Sequence, residues 1–301
     1  WTERHGSYAD AIRLYRAALK ISPPEARWPA GLRGELDKAL CKSRAYGEAL
    51  SGQLSAELAD QLSALPPAAA ERWREAIAIR SGLAAPSPSQ SNQFCVPRLP
   101  AIPFFERSSF SWAGALEART SAIVAELRSL MADPSTVFAP YIEYKRGEPM
   151  NQFAPLNQSK AWSAFHLYRY GERIEENCAR TPCTMQALEA VELADMPGCP
   201  NVMFSLLAPH THIPPHHGET NARVVAHLPL IVPEGCRYRV GFETRSWVPG
   251  ELLVFDDTIE HEARNDSDEW RAVLLFDVWN PLLSDAERKV AASILARSAT
   301  I

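Results

Sequence analysis

Long apolar runs are missing from this sequence. No stretch approaches the roughly 18 consecutive apolar residues of a membrane-spanning helix, although 46% of the 301 residues are hydrophobic and can fill a sizeable core. Residues 1–6 also lack the charged-then-apolar order of a secretory signal. The expectation is a cytoplasmic protein without a membrane span, and the start at Trp1 rather than a methionine reads as a trimmed chain. Blocks of like charge are absent too: the net charge is −5, the pI is near 6.0, and the basic residues are scattered. That excludes the electrostatic footprint of a nucleic-acid binder and leaves a small molecule or a protein as partner. The six cysteines, Cys41, Cys95, Cys178, Cys183, Cys199 and Cys236, form no Cys-x-x-Cys pair and no repeated spacing, which speaks against structural zinc. Cys178 and Cys183 are close enough to bridge, but free thiols are expected in a reducing compartment.

What is present falls into two kinds of pattern. Residues 6–84 are rich in alanine and leucine at three- and four-residue spacing, broken at Pro23-Pro24 and Pro66-Pro67, which predicts several short helices. Within them Gly6, Tyr8, Ala11, Tyr15, Ala18, Leu19 and Pro23 look like the second half of a tetratricopeptide repeat. The region is either the end of a longer repeat array, which would offer a protein-docking surface, or an ordinary helical cap. Residues 85–97 begin with the proline- and serine-rich run APSPSQSN and read as a linker. The third part, 98–301, has a helix predicted over Leu116–Met131. Short strands are predicted at Met203–Ala208, Arg223–Ile231, Tyr238–Phe242, Glu251–Phe255 and Ala272–Val278. Many short strands at this spacing imply a barrel or jelly roll, so the fold class is α+β with an all-α region in front.

Five of the eight histidines lie between His210 and His227, and a sixth, His261, follows the predicted strand ending at Phe255. A jelly roll brings distant strand ends together, so such histidines can share one metal ion. A facial triad takes a histidine, a carboxylate two residues on, and a distant second histidine; His217, Glu219 and His261 satisfy that spacing literally. His216 has Gly218 two residues on and would bring no carboxylate, so spacing alone favours His217 and Glu219.

The runs P-H-H-G-E-T-N from Pro215, H-L-P-L from His227, F-D-D-T-I-E-H-E from Phe255 and F-D-V-W-N-P from Phe276 resemble the aspartyl/asparaginyl β-hydroxylase family, in the family's order. The resemblance covers roughly Trp162 to Leu282 and is nearer to bacterial members with helical repeats than to the animal endoplasmic-reticulum members. It implies a double-stranded β-helix of cupin type, binding Fe(II) and 2-oxoglutarate and using O2. It maps the metal ligands to His216 and His261, with Gly218 in place of the usual carboxylate. Two negative charges on 2-oxoglutarate keep such a site near neutral. Asp257 would then accept a hydrogen bond from a water in the vacated position. The resemblance also maps Arg271 and Ser205 to the cosubstrate's far carboxylate and His227 to its metal-proximal carboxylate. Arginine suits the first role because its planar fork matches a carboxylate. Arg223 and Trp162 map to the substrate side. Val225 stands where the family commonly carries a basic residue, and Ala164 and Met203 stand where the animal members are polar or charged. His210, His212 and His217 have no family role.

The resemblance implies hydroxylation at the β-carbon of an aspartyl or asparaginyl residue of a peptide or protein, with succinate and CO2 as coproducts and no protein acid or base. Two alternatives stay open: the same chemistry on a free or carrier-bound amino acid or a lipid acyl chain, and a non-catalytic repeat adaptor with a retired barrel.

Overall fold

The computed structural model describes residues 7–148 and 151–298, in two compact units, 1–86 and 87–301. Gly6, the first residue of the repeat-like pattern, and Trp1 lie outside the described residues.

The first unit is helical: α1 (Tyr8–Ile21), α2 (Ala30–Glu57), α3 (Ala59–Ser63) and α4 (Pro67–Ser81). Ser7 caps α1 by accepting from the Asp10 amide, and the diproline at 66–67 starts α4, where a missing N–H costs nothing. Contrary to the expectation of short helices only, α2 runs for 28 residues. The helices meet through small side chains, with Ala11, Ala39, Ser43 and Gly47 buried. A Cβ on Gly47 would stand 2.6 Å from the Ser81 carbonyl oxygen, so only glycine allows α2 this close to the end of α4.

The second unit is a double-stranded β-helix. Its larger sheet runs in the order β1 (Phe104–Phe105), β10 (Leu253–Phe255), β7 (Arg223–Ile231), β12 (Arg271–Trp279), β5 (Val202–Leu207), β3 (Trp162–Arg169), β2 (Ala139–Pro140), with β4 (Glu172–Arg173) beside β3. The smaller sheet is β6 (Thr211–His216), β11 (His261–Asn265), β8 (Cys236–Val240), β9 (Glu243–Arg245). All strand pairs within these sheets are antiparallel.

Period-2 alternation decides what each face of the large sheet carries. Ala272, Leu274, Phe276 and Val278 of β12, with Val224, Ala226, Leu228 and Leu230 of β7, face a core shared with α5 (Ala113–Glu117) and α6 (Thr120–Ala132). The predicted single helix over Leu116–Met131 is thus split in two. The opposite phase, Arg271, Val273, Leu275 and Asp277 on β12 and Arg223, Val225 and His227 on β7, looks toward the small sheet; Val273 and Val225 pack there with Ile213, Tyr238 and Ala263. Polar residues at alternate positions of otherwise apolar strands therefore converge between the sheets.

Residues 87–97 do not form a free linker. Gln90 N donates to Thr258 O, Asn92 N to Gly218 O, and Gln93 N and Phe94 N to Glu219 O. Asn221 accepts from Val96 N and donates back to Val96 O. The first four are main-chain bonds that any sequence can make, so composition did not betray them.

Candidate active site

β6 and β11 are paired so that His216 and His261 are direct Cα partners. Their rings lie 3.9 Å apart, centroid to centroid, at 55°. Each ring is fixed the same way: His216 Nδ1 donates to Pro214 O at 2.8 Å and His261 Nδ1 to Ile259 O at 2.9 Å. A carbonyl can only accept, so both Nδ1 atoms carry the proton and both Nε2 atoms present lone pairs. Burial pushes His216 down to about 4 and His261 well below the ordinary histidine value, so both stay neutral, as metal ligation requires.

The literal triad is not assembled. His217 is turned aside, with Nδ1 3.0 Å from Thr258 O. Among the described residues no set of three His, Cys, Asp or Glu side chains could hold a metal together. Gly218 explains why a carboxylate is excluded next to His216. Its N–H donates to Asp257 O at 2.6 Å, and a Cβ there would fall inside the Asp257 carboxylate. Asp257 occupies the space that a side chain at 218 would need.

Asp257 is buried and held from the large sheet. Its Oδ2 accepts from Arg223 Nη1 at 2.7 Å, while Oδ1 is buried without a partner among the described residues. Burial pushes its pKa up to about 6, against the pull of the Arg223 charge. Arg223 also lies 3.2 Å from Asp277 through Nε, and Asp277 in turn accepts from both nitrogens of Asn201. Arg223 is 5% exposed and bound to two carboxylates. Arg223, expected on the substrate side, lines the cavity, and its contacts among the described residues include these two carboxylates.

Across the cavity stands a cation without a counterion among the described residues. Arg271 is 2% exposed, and its Nε and Nη1 have no hydrogen-bond partner among the described residues. Its guanidinium rests 4.7 Å above the Trp247 ring. Burial lowers its pKa to about 10, which still leaves it charged at neutral pH. Ser205 lies on the neighbouring strand opposite Val273, on the same face. Ser205 Oγ accepts from Trp162 Nε1 at 3.3 Å, which frees its own O–H to donate. Trp162, expected on the substrate side, lines the cavity; it is buried and stacked on Tyr141 at 3.9 Å and 15°.

Sequence reasoning missed Trp247. Its Nε1 donates to His227 Nδ1 at 3.2 Å, and since an indole N–H only donates, His227 must carry its proton on Nε2. That leaves an N–H donor in the cavity on a ring kept neutral by burial and by the Arg271 charge. A tryptophan in the loop after β9 has no periodicity or motif that points to this role. His210 and His212 sit outside the cavity, each bonded to a carboxylate, Asp268 and Glu262.

His216, His261, Asp257, Arg223, Ser205, His227 and Arg271 line one cavity of about 490 Å³. Two unprotonated imidazole nitrogens would suit a divalent ion, and a buried guanidinium unpaired among the described residues, beside a hydroxyl free to donate, would suit a carboxylate. A buried cation without a partner is costly unless a ligand supplies the counter-charge.

A family profile described as aspartyl/asparaginyl beta-hydroxylase matches residues 117–281, more than half of the chain. The mouse aspartyl/asparaginyl beta-hydroxylase is 38% identical over 137 residues, 44% of this chain and 18% of that protein, so the chain spans under a fifth of this relative's length. A Rhizobium tropici ornithine lipid ester-linked acyl 2-hydroxylase is 33% identical over 187 residues, 61% of this chain and 63% of that one. The human aspartate beta-hydroxylase domain-containing protein 2 is 32% identical over 218 residues, 70% of this chain and 56% of that protein. Among solved structures, a predicted oxalate decarboxylase from Thermotoga maritima covers 49% of this chain and 96% of its own, at 12% identity and a TM-score of 0.29, a likeness too distant to bear on the site. With the profile spanning the strands that carry both histidines and Arg271, this chain belongs to the aspartyl/asparaginyl β-hydroxylase family.

Proposed function

We propose that the chain is an Fe(II)- and 2-oxoglutarate-dependent hydroxylase. The observation that carries this reading is the pairing of His216 and His261 with an uncompensated Arg271 across one cavity. His216 and His261 would hold the iron through Nε2. Arg271 and the Ser205 hydroxyl would hold the far carboxylate of 2-oxoglutarate, and His227 would donate to its near one. Bound together, the iron and 2-oxoglutarate supply the activation of O2 and the oxidising power to hydroxylate an unactivated C–H bond, with succinate and CO2 formed.

The protein's own part is positioning. Pro214 O and Ile259 O set the two ligand tautomers, Trp247 sets that of His227, and Trp162 leaves the Ser205 proton free for the ligand. Phe153, Trp162, Phe255 and Tyr238 surround the imidazole pair and keep water from it. A retired barrel would have no reason to keep a buried, unpaired Arg271.

The reacting position is the β-carbon of an aspartyl or asparaginyl residue on the family resemblance. One observation favours the second reading, in which the substrate is a free or carrier-bound amino acid or an acyl chain: Arg223 is already bound to two carboxylates, and position 225 offers valine. A relative at 33% identity is itself named an acyl 2-hydroxylase. The test is Fe(II)-dependent conversion of 2-oxoglutarate to succinate, followed by mass spectrometry of peptides, amino acids and lipids incubated with the protein. Succinate formation lost in His216→Ala is expected; undiminished turnover in that variant would overturn the assignment.

A further inference from the structure

The half of the cavity away from Arg271 holds more negative than positive charge. Four carboxylates, Glu143, Glu219, Asp257 and Asp277, line it against two guanidiniums, Arg169 and Arg223. Neither cation is free. Arg223 serves Asp257 at 2.7 Å and Asp277 at 3.2 Å, and Arg169 lies 3.1 Å from Glu143. His166, on the same wall, adds no charge at neutral pH, since burial pushes it down to about 4.

Two acceptors on this wall await a donor. Asp257 is 6% exposed and its Oδ1 has no partner among the described residues. Glu219 is half-buried, and its carboxylate has no hydrogen bond or ion pair among the described residues. Its backbone is nonetheless fixed, because Glu219 O accepts from Gln93 N at 3.0 Å and Phe94 N at 3.2 Å, and Thr220 bridges to Phe94. Glu219 was singled out in the sequence as a metal carboxylate, yet it is in no metal-holding group with the paired histidines. A carboxylate fixed at the wall of a substrate cavity and left unpaired is a recognition element for a donor-rich cation.

We propose that this site selects substrates bearing an ammonium or guanidinium group near the oxidised carbon, with Glu219 as the specificity-determining residue that receives it. The proposal rests on reading the cavity as a hydroxylase site. An acidic side chain is disfavoured there, because it would shed its water among unbalanced carboxylates and find both guanidiniums of this wall taken.

The test measures binding, not turnover. Capped tripeptides Ac-Ala-X-Ala-NH2 with X as Lys, Arg, Asn or Asp are titrated by calorimetry into the full chain with Fe(II) and 2-oxoglutarate under nitrogen, and again without them. The Lys or Arg peptide should bind at least tenfold more tightly than the Asp peptide. Glu219→Gln should cut that preference at least fivefold while changing the Asn peptide less than twofold, and Glu219→Lys should reverse it, both with unchanged circular dichroism. An Asp peptide bound as tightly as the Lys and Arg peptides, a preference unmoved in Glu219→Gln, or no binding of any peptide would overturn the proposal. Failure of 2-oxoglutarate itself to bind would instead defeat the hydroxylase reading, and the two results are read separately in the same samples.

Discussion

Gly218 and Asp257 share one space. A side chain at 218 would have to displace the Asp257 carboxylate, which is itself held by Arg223. The usual carboxylate ligand has thus not simply been deleted: its place is filled from the loop that leads into the second histidine. Gly218→Asp should therefore break the Asp257–Arg223 pair and not restore a triad. The expected cost is about 3 kcal/mol or more, the range for breaking a buried ion pair. Thermal unfolding with and without Fe(II) checks this; an unchanged melting temperature with tighter iron binding would contradict it.

Arg271 and Arg223 are both buried, yet they should respond in opposite ways to removal. Arg271 has no counterion among the described residues, so Arg271→Met takes away a buried unpaired charge and should leave the ligand-free protein as stable as before, or more so. The same change should abolish stabilisation by 2-oxoglutarate. Arg223→Met would strand Asp257 and Asp277 and should cost about 3–5 kcal/mol. Denaturant unfolding of the two variants, with and without 2-oxoglutarate, separates these cases; equal losses would refute the distinction.

Burial pushes His166 and His216 down to about 4, and His227 and His261 well below the ordinary value. An unfolded histidine titrates near 6.5, so between about pH 6.5 and 4 the unfolded chain binds protons that the native chain refuses. Stability is then full above about pH 6.5 and lost as the pH falls toward 4, at about 1.4 kcal/mol per pH unit for each imidazole. Asp256 and Asp257, both raised by burial, act in the opposite direction, two groups against four. Melting curves of the metal-free protein should fall steeply over that window, and a flat profile would contradict the burial of these neutral rings.

Trp247 should matter to the cosubstrate without touching iron. In Trp247→Phe the N–H that fixes the His227 tautomer is gone, while most of the ring under Arg271 remains. Affinity for 2-oxoglutarate should drop about tenfold, the scale of losing an outer hydrogen bond to a site residue. Iron affinity measured without 2-oxoglutarate should stay within about twofold on the same reasoning. A variant with unaltered affinity for 2-oxoglutarate would remove Trp247 from the site.

The central strands of the large sheet were legible because they are near-continuous apolar runs rich in β-branched residues: Arg223–Ile231 has the observed bounds, and Ala272–Val278 is one residue short at each end. The strands that carry the metal candidates were not legible as strands. β6 contains Pro214 and Pro215 and β11 reads His-Glu-Ala-Arg-Asn, so neither shows β-propensity or apolar alternation. Spacing alone pointed to His217 and Glu219, because it cannot show that His217 turns toward Thr258. The pairings of Arg223 with Asp257 and Asp277, of Trp162 with Ser205 and of Trp247 with His227 span 20 to 54 positions and follow only from the tertiary placement of strands and loops.

The most direct test of the account is an anaerobic titration of 2-oxoglutarate with Fe(II) into the wild-type chain and into His216→Ala and His217→Ala. Iron-dependent binding of one 2-oxoglutarate per chain, lost in His216→Ala and retained in His217→Ala, is the predicted result. Binding that survives His216→Ala, or that fails in His217→Ala alone, would contradict the assignment of the iron to His216 and His261.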